Sequence, residues 1–168
     1  MEIFKRLYRE HGHRFYRDRM TLSEHSARSF YGARRFEAEP NYHTIRLAAT
    51  FQNIGKLVHK NATYRLAAGF LELNGMPRAV SQLVRGQTLT RRYLYTTDEV
   101  YKRQLTPYML REVVESGGEL TEEEVAYFLE NAAMADTLIR IALTELTVPL
   151  QITKEVDWEE LQKLMEKV

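Results

Sequence analysis

From Leu47 to Leu57 the chain runs Leu-Ala-Ala-Thr-Phe-Gln-Asn-Ile-Gly-Lys-Leu. Its first half predicts a helix that packs closely, because Ala48 and Ala49 favour helix and present little bulk to a neighbour. Gly55 is the expected stop, since glycine adopts the left-handed conformation that helix C-termini favour. Gln52 and Asn53 stand side by side in the last turn of an otherwise apolar segment. Buried polar groups need partners. The plainest use for these two is to bond the carbonyls that a helix end leaves free. The other use is a site.

On the N-terminal side, Thr21-Leu22-Ser23-Glu24 spells a capping box, with the Thr21 hydroxyl on first-turn amides and Glu24 reaching back. The helix it opens carries His25, Arg28 and Tyr31 and runs to about Ala38, where Pro40 closes it. Residues 2–19 predict an amphipathic N-terminal helix with Ile3, Phe4, Leu7, Phe15 and Tyr16 inward and a basic opposite face. His11 and His13 are two residues apart, which on a helix points them about 200° from one another, so both read as surface residues.

On the other side, Asn61 or Thr63 starts a helix over Tyr64 to Leu73, stopped by Asn74-Gly75, and Pro77 suits the first position of the next. Arg85 to Thr97 reads as the least regular part of the chain. There Arg91-Arg92 and Tyr93 and Tyr95 suit base stacking and phosphate pairing, or a short extended stretch packed on the body. Thr96 with Glu99 spells a second capping box, and Thr106-Pro107 starts a helix ending at Gly117-Gly118. Thr121 with Glu124 spells a third, with an acidic first turn that suits the helix dipole. One long helix is expected from there past Leu143, ending before Pro149. Asp136 sits in it beside Ala133, Met134 and Ala135, and is expected to face inward. Residues 155–168 predict a short amphipathic tail helix with Trp158, Leu161 and Leu164 on one side.

Several of these segments together resemble the HD superfamily of metal-dependent phosphohydrolases. Residues 47–57 are similar to its signature "AALLHDIGKL", with Gln52-Asn53 where the paired His-Asp metal ligands stand and the Ile54-Gly55-Lys56-Leu57 tail intact. The stretch from Glu24 to Phe36 resembles "HSxRVAxxAxxL", with His25 at the first metal-binding histidine and Arg28 at the arginine three residues on. Ala68, Leu71, Gly75, Pro77, Val80 and Val84 match "xGAxxLxxLGxPxxVAxxV". Thr63 falls where that segment's preceding histidine is expected, and Gly86-Gln87 replaces the histidines of "VxxHH". Asp136 in "NAAMADTLIRIA" resembles the aspartate of the last element, "AADxL". The resemblance implies an all-α, HD-domain-like bundle of about seven helices. One domain over 1–168 is expected, with the N-terminal helix over 2–19, the HD-like core over about 21–146 and the tail helix over 155–168.

Composition agrees with one ordinary globular domain. The chain has 168 residues, 44% hydrophobic and 28% charged, a size at which a single core suffices. No apolar run approaches the ~20 residues of a membrane helix. The first residues do not read as a secretory signal. With 0 cysteines, thiolate metal sites, disulfides and cysteine nucleophiles are excluded, which fits a cytoplasmic protein. The net charge of +1 hides a split: residues 1–103 carry 19 Lys/Arg against 9 Asp/Glu, and residues 104–168 carry 5 against 14. That predicts two halves packing on each other, within one subunit or between copies in a homo-oligomer, ahead of a nucleic-acid surface.

Of the ligand positions the resemblance implies, His25 and Asp136 keep a metal-binding side chain, while Gln52, Asn53 and Thr63 do not. A divalent ion needs imidazoles and ionised carboxylates, and without it there is no activated water. The expectation is a pseudo-enzyme with no cofactor, whose remaining cations Arg28, Lys56, Arg65 and Arg85 bind a nucleotide or another phosphorylated small molecule. Two other readings are an atypical phosphohydrolase holding manganese or iron, and a helical interaction module whose pocket is filled core. An open or filled cleft beside Lys56 separates ligand binding from scaffold.

Overall fold

Thr21 accepts the Glu24 amide on its hydroxyl and gives its own amide to the Glu24 carboxylate, so the helix after it begins where the sequence puts it. The computed structural model describes residues 1–17, 20–147 and 155–168. Among them are eleven α-helices: α1 (Glu2–His11), α2 (Leu22–Gly32), α3 (Tyr42–Phe51), α4 (Gly55–Val58), α5 (Tyr64–Leu73), α6 (Arg78–Thr97), α7 (Glu99–Gln104), α8 (Pro107–Glu115), α9 (Glu122–Leu129), α10 (Ala132–Thr147) and α11 (Trp158–Met165). A 3-10 turn over Ala33–Phe36 extends α2. One antiparallel hairpin, β1 (Phe15–Arg17) with β2 (Met20–Thr21), joins α1 to α2. The chain is a single, predominantly all-α domain.

Helix α3 is the centre, in contact with α2, α6, α10 and α11. Ile45, Leu47, Ala48, Ala49 and Phe51 on it are fully buried. The two alanines do what their size predicts and let four helices close around one. Helix α6, 20 residues long, spans roughly 30 Å at ~1.5 Å per residue. It packs on α3, α5 and α10, and near its far end Leu94 joins Tyr101 of α7 and Ala142 of α10 in a second small cluster. No helix among the described residues is long and apolar enough to cross a membrane.

The expected helix over 2–19 is two elements. Helix α1 stops at His11 and the chain turns into the hairpin, which buries Tyr16 but leaves Phe15 77% exposed. Gly55 does not close α3 in a left-handed turn: the glycines with positive φ are Gly75, Gly117 and Gly118. Gly55 opens α4 instead, and its missing side chain serves packing. A Cβ there would lie 3.0 Å from the Ala62 Cβ and 3.2 Å from the Ala67 backbone.

Arg85 to Thr97, expected to be irregular, is the second half of α6. Its tyrosines work inside the fold: Tyr93 stacks on Phe128 at 4.5 Å, and the Tyr95 ring lies 4.6 Å from the Lys102 ammonium. The cap before α7 is Asp98, not Thr96, whose hydroxyl bonds the Arg92 carbonyl within α6. The long helix expected from Thr121 breaks into α9 and α10 around Glu130 and Asn131. These divisions and the short α4 and α7 explain why eleven helices stand where about seven are expected.

The split in charge closes within the subunit. Arg34 and Arg46 meet Glu160, Lys56 meets Glu112, Arg92 meets Glu124 and Lys102 meets Glu119, each joining the basic half to the acidic half.

Candidate functional site

Helix α3 ends at Phe51, and Gln52 and Asn53 follow it in the turn that leads to α4. Both are buried. Gln52 Nε2 donates to the Ala49 carbonyl at 3.1 Å, the helix-end use its position predicts. Its Oε1 has no partner among the described residues. Asn53 Oδ1 accepts the Tyr16 hydroxyl at 3.2 Å, and its Nδ2 lies 3.4 Å from His25 Nδ1. Tyr16 also meets the His25 ring edge-on at 4.9 Å. The hairpin thus carries Tyr16 in between the two segments that hold His25 and Asn53.

Lys56, on α4, sits in a cage that shares Tyr16 with this trio. Its ammonium donates to the Tyr108 hydroxyl at 3.0 Å and to Glu112, and lies 5.0 Å from the centre of the Tyr16 ring. Tyr108 and Glu112 are one turn apart on α8, so a single helix face supplies both, and the Tyr108 hydroxyl also bonds Glu112. Glu112 Oε2, buried, has no partner among the described residues.

Beside that cage a cleft of about 540 Å³ opens between α4, α5, α6 and α8. Gln52, Asn53, Ala67, Tyr64 and Arg91 line it, together with Tyr108, Arg111 and Glu112 of α8. Arg91 is buried with its guanidinium 5.1 Å from the Tyr64 ring. Lys60 and Arg111 line the cleft from exposed positions. Acceptors sit deep, and exposed cations sit toward solvent.

Of the residues singled out in the sequence, Gln52, Asn53, Lys56 and Thr63 line the cleft, and His25 stands directly behind Asn53. Thr63 is also the N-cap of α5, its hydroxyl accepting the Leu66 amide. Arg28 and Arg65 are not among the lining residues. Arg85 lies at a separate hollow with Arg78 and Gln82, paired to Glu72 at 3.0 Å. There the Ser81 hydroxyl, with Arg85, holds the Glu72 carboxyl below the usual carboxylate range.

Asp136 does not face inward. Its side chain is 60% exposed and pairs with Arg140 at 2.7 Å on the same face of α10. The small neighbours that suggest an inward aspartate take different faces: Ala135 is buried, while Ala133 and Met134 are exposed.

The metal that the resemblance implies does not fit this donor set. Around the turn His25 is joined by neutral carboxamides, and Asp136 is committed to Arg140 at the surface. Among the described residues no group of three or more His, Cys, Asp or Glu is arranged to hold an ion. The α8 wall is not foreshadowed by any motif in the sequence, and Arg91, singled out there with Tyr93 and Tyr95, reaches the cleft beside Tyr64 instead. Lys56 and Glu112 are separated by 56 residues, and no local pattern joins them. No protein-family model matches this chain, and no curated protein matches it.

Proposed function

We propose that this chain is a catalytically degenerate, HD-like domain whose cleft binds a nucleotide or another phosphorylated small molecule without cleaving it. The observation that carries the reading is the open volume of about 540 Å³ beside Lys56, bordered by the two carboxamides where the resembled signature has its His-Asp pair. Pockets of this size take drug-sized ligands. A helical module without a ligand would have the same place packed with side chains. Lys60 and Arg111 supply exposed positive charge for a phosphate, Tyr64 and Tyr108 supply aromatic faces, and Gln52 and Glu112 keep acceptors without partners among the described residues. The charge at Lys56 is balanced by Glu112, so the phosphate is held by the outer cations.

Calorimetric titration of a panel of nucleoside phosphates and sugar phosphates tests this. At least one member is expected to bind, and Arg111→Glu to weaken it by about tenfold or more, ~1.4 kcal/mol. No heat from any member, or binding indifferent to Arg111→Glu, overturns the reading. Stoichiometric manganese or iron in the purified protein, with phosphoester turnover, overturns its degenerate part.

A further inference from the structure

Helix α5 turns Ala67, Ala68 and Leu71 into the core. Its opposite face is apolar and uncovered by the described residues: Leu66 is 59% exposed, Leu73 is 88% exposed, and a Cβ added at Gly69 would meet nothing within 4 Å. With ~3.6 residues per turn, Gly69 and Leu73 run down the middle of that face. Leu66 and Phe70 follow one flank, and Arg65 and Glu72 follow the other.

We propose that a second copy of this chain docks here, α5 against α5 in antiparallel orientation, about a two-fold axis at Gly69. The sequence of the face is self-complementary under that operation. A two-fold axis brings each flank onto the same flank of the other copy with direction reversed. Leu66 then meets the partner's Leu73, and Phe70 meets the partner's Phe70. On the charged flank Arg65 meets the partner's Glu72, twice over. A parallel two-fold arrangement would bring the charged flank of each copy onto the apolar flank of the other and leave Arg65 and Glu72 without each other, so charge selects the antiparallel form.

Two further features agree. Glu72 is bonded by Ser81 and Arg85, and both bonds fall on Oε1, which holds the carboxylate in place with Oε2 open to the partner's Arg65. Gly69, with no side chain at the axis, lets the two backbones approach. The apolar flank is anchored through Phe70, whose ring lies 6.2 Å from that of the buried Phe4 on α1. A contact made mainly by one helix face sits at the small end of specific interfaces, so the dimer is expected to be weak.

Sedimentation velocity over a concentration series of the full chain reads this directly. The wild type is expected to pass from monomer to dimer as concentration rises from micromolar to millimolar. Leu73→Glu is expected to stay monomeric throughout with its melting temperature in dilute solution unchanged, because the side chain it replaces touches solvent. Gly69→Gln is expected to lose the dimer while melting no lower than wild type in dilute solution, since its side chain has open space and glutamine favours helix over glycine. Arg65→Glu carries the register. It sets a carboxylate against the partner's Glu72, so its dimer is weakened at low salt and strengthened as salt rises, the reverse of the wild type. A wild type that remains monomeric at every concentration overturns the proposal. So does a dimer that survives Leu73→Glu, or an Arg65→Glu dimer with the salt dependence of the wild type.

Discussion

Two buried polar side chains of the α3 segment, Arg46 at mid-helix and Gln52 just past the end, are treated differently. Arg46, 1% exposed, has its charge met and two of its three guanidinium nitrogens bonded, Nη2 alone lacking a partner among the described residues. Its Nε donates to the Phe30 carbonyl at 3.1 Å, its Nη1 donates to the Tyr42 hydroxyl and to Glu160, and its guanidinium lies 3.8 Å over the Phe30 ring. Gln52, just past the helix end, has one bond to Ala49 and a carbonyl with none among the described residues. A buried charge must be compensated or the fold loses several kcal/mol. A neutral amide left half-bonded carries a smaller penalty, about 1–3 kcal/mol, and beside an open cleft a ligand's donor can relieve it. Under the proposed function, the guanidinium is committed to holding the domain together and the carboxamide is kept for binding.

The sharpest way to break this contrast is Glu160→Ala. It leaves the Arg46 guanidinium buried without its counter-charge, and the expected loss is about 3 kcal/mol in denaturant unfolding. The same pair has a pH signature. The Arg46 hydrogen bond, with Arg34 adding to it, holds the Glu160 carboxyl below the usual carboxylate range. A carboxyl depressed in the folded state contributes stability above its unfolded pKa and loses it as pH falls through the folded value. Wild-type stability should therefore drop through the acid carboxylate range by more than that of Glu160→Gln. Equal slopes for the two proteins would mean that the clasp carries no linked proton.

Lys56→Met is a smaller perturbation. It removes one partner of an ion pair that is partly open to water, and Glu112 keeps its bond from Tyr108. About 1 kcal/mol is expected, with α8 the element whose amide exchange rises most. The smallest effect on folding belongs to Gln52→Leu, which deletes the partnerless carbonyl within a similar volume. Stability is expected to stay within ~0.5 kcal/mol of wild type or to rise, while affinity for any bound nucleotide falls. A loss near that of Glu160→Ala would place Gln52 among the structural residues and erase the difference between it and Arg46.

Local signals in the sequence locate most helix starts. Thr21, Thr106-Pro107 and Thr121 cap where they are expected because a cap is decided within four residues. The second half of α6 is hidden because Gly86, Thr88, Thr90 and Tyr93 are poor helix formers. Tertiary packing overrides them: Gln87, Arg91 and Leu94 are buried, and Gly86 accommodates Leu138, whose methyl would lie 2.7 Å from a Cβ there. Asp136 misleads because small neighbours say nothing about which way a helix is turned. Gln52, Asn53, Lys56 and Thr63 fall together at the cleft as their shared segment suggests. Tyr108, Arg111 and Glu112 are out of reach, because a wall assembled from distant parts of the chain leaves no spacing to read.

The clasp on α3 also has a consequence for how the protein is made. Glu160 reaches Arg46 across 114 residues, so during synthesis the arginine leaves the ribosome long before its counter-ion does. Until α11, the last of the described helices, is available, that contact cannot form, so the seam between α3 and α11 is among the last that synthesis allows.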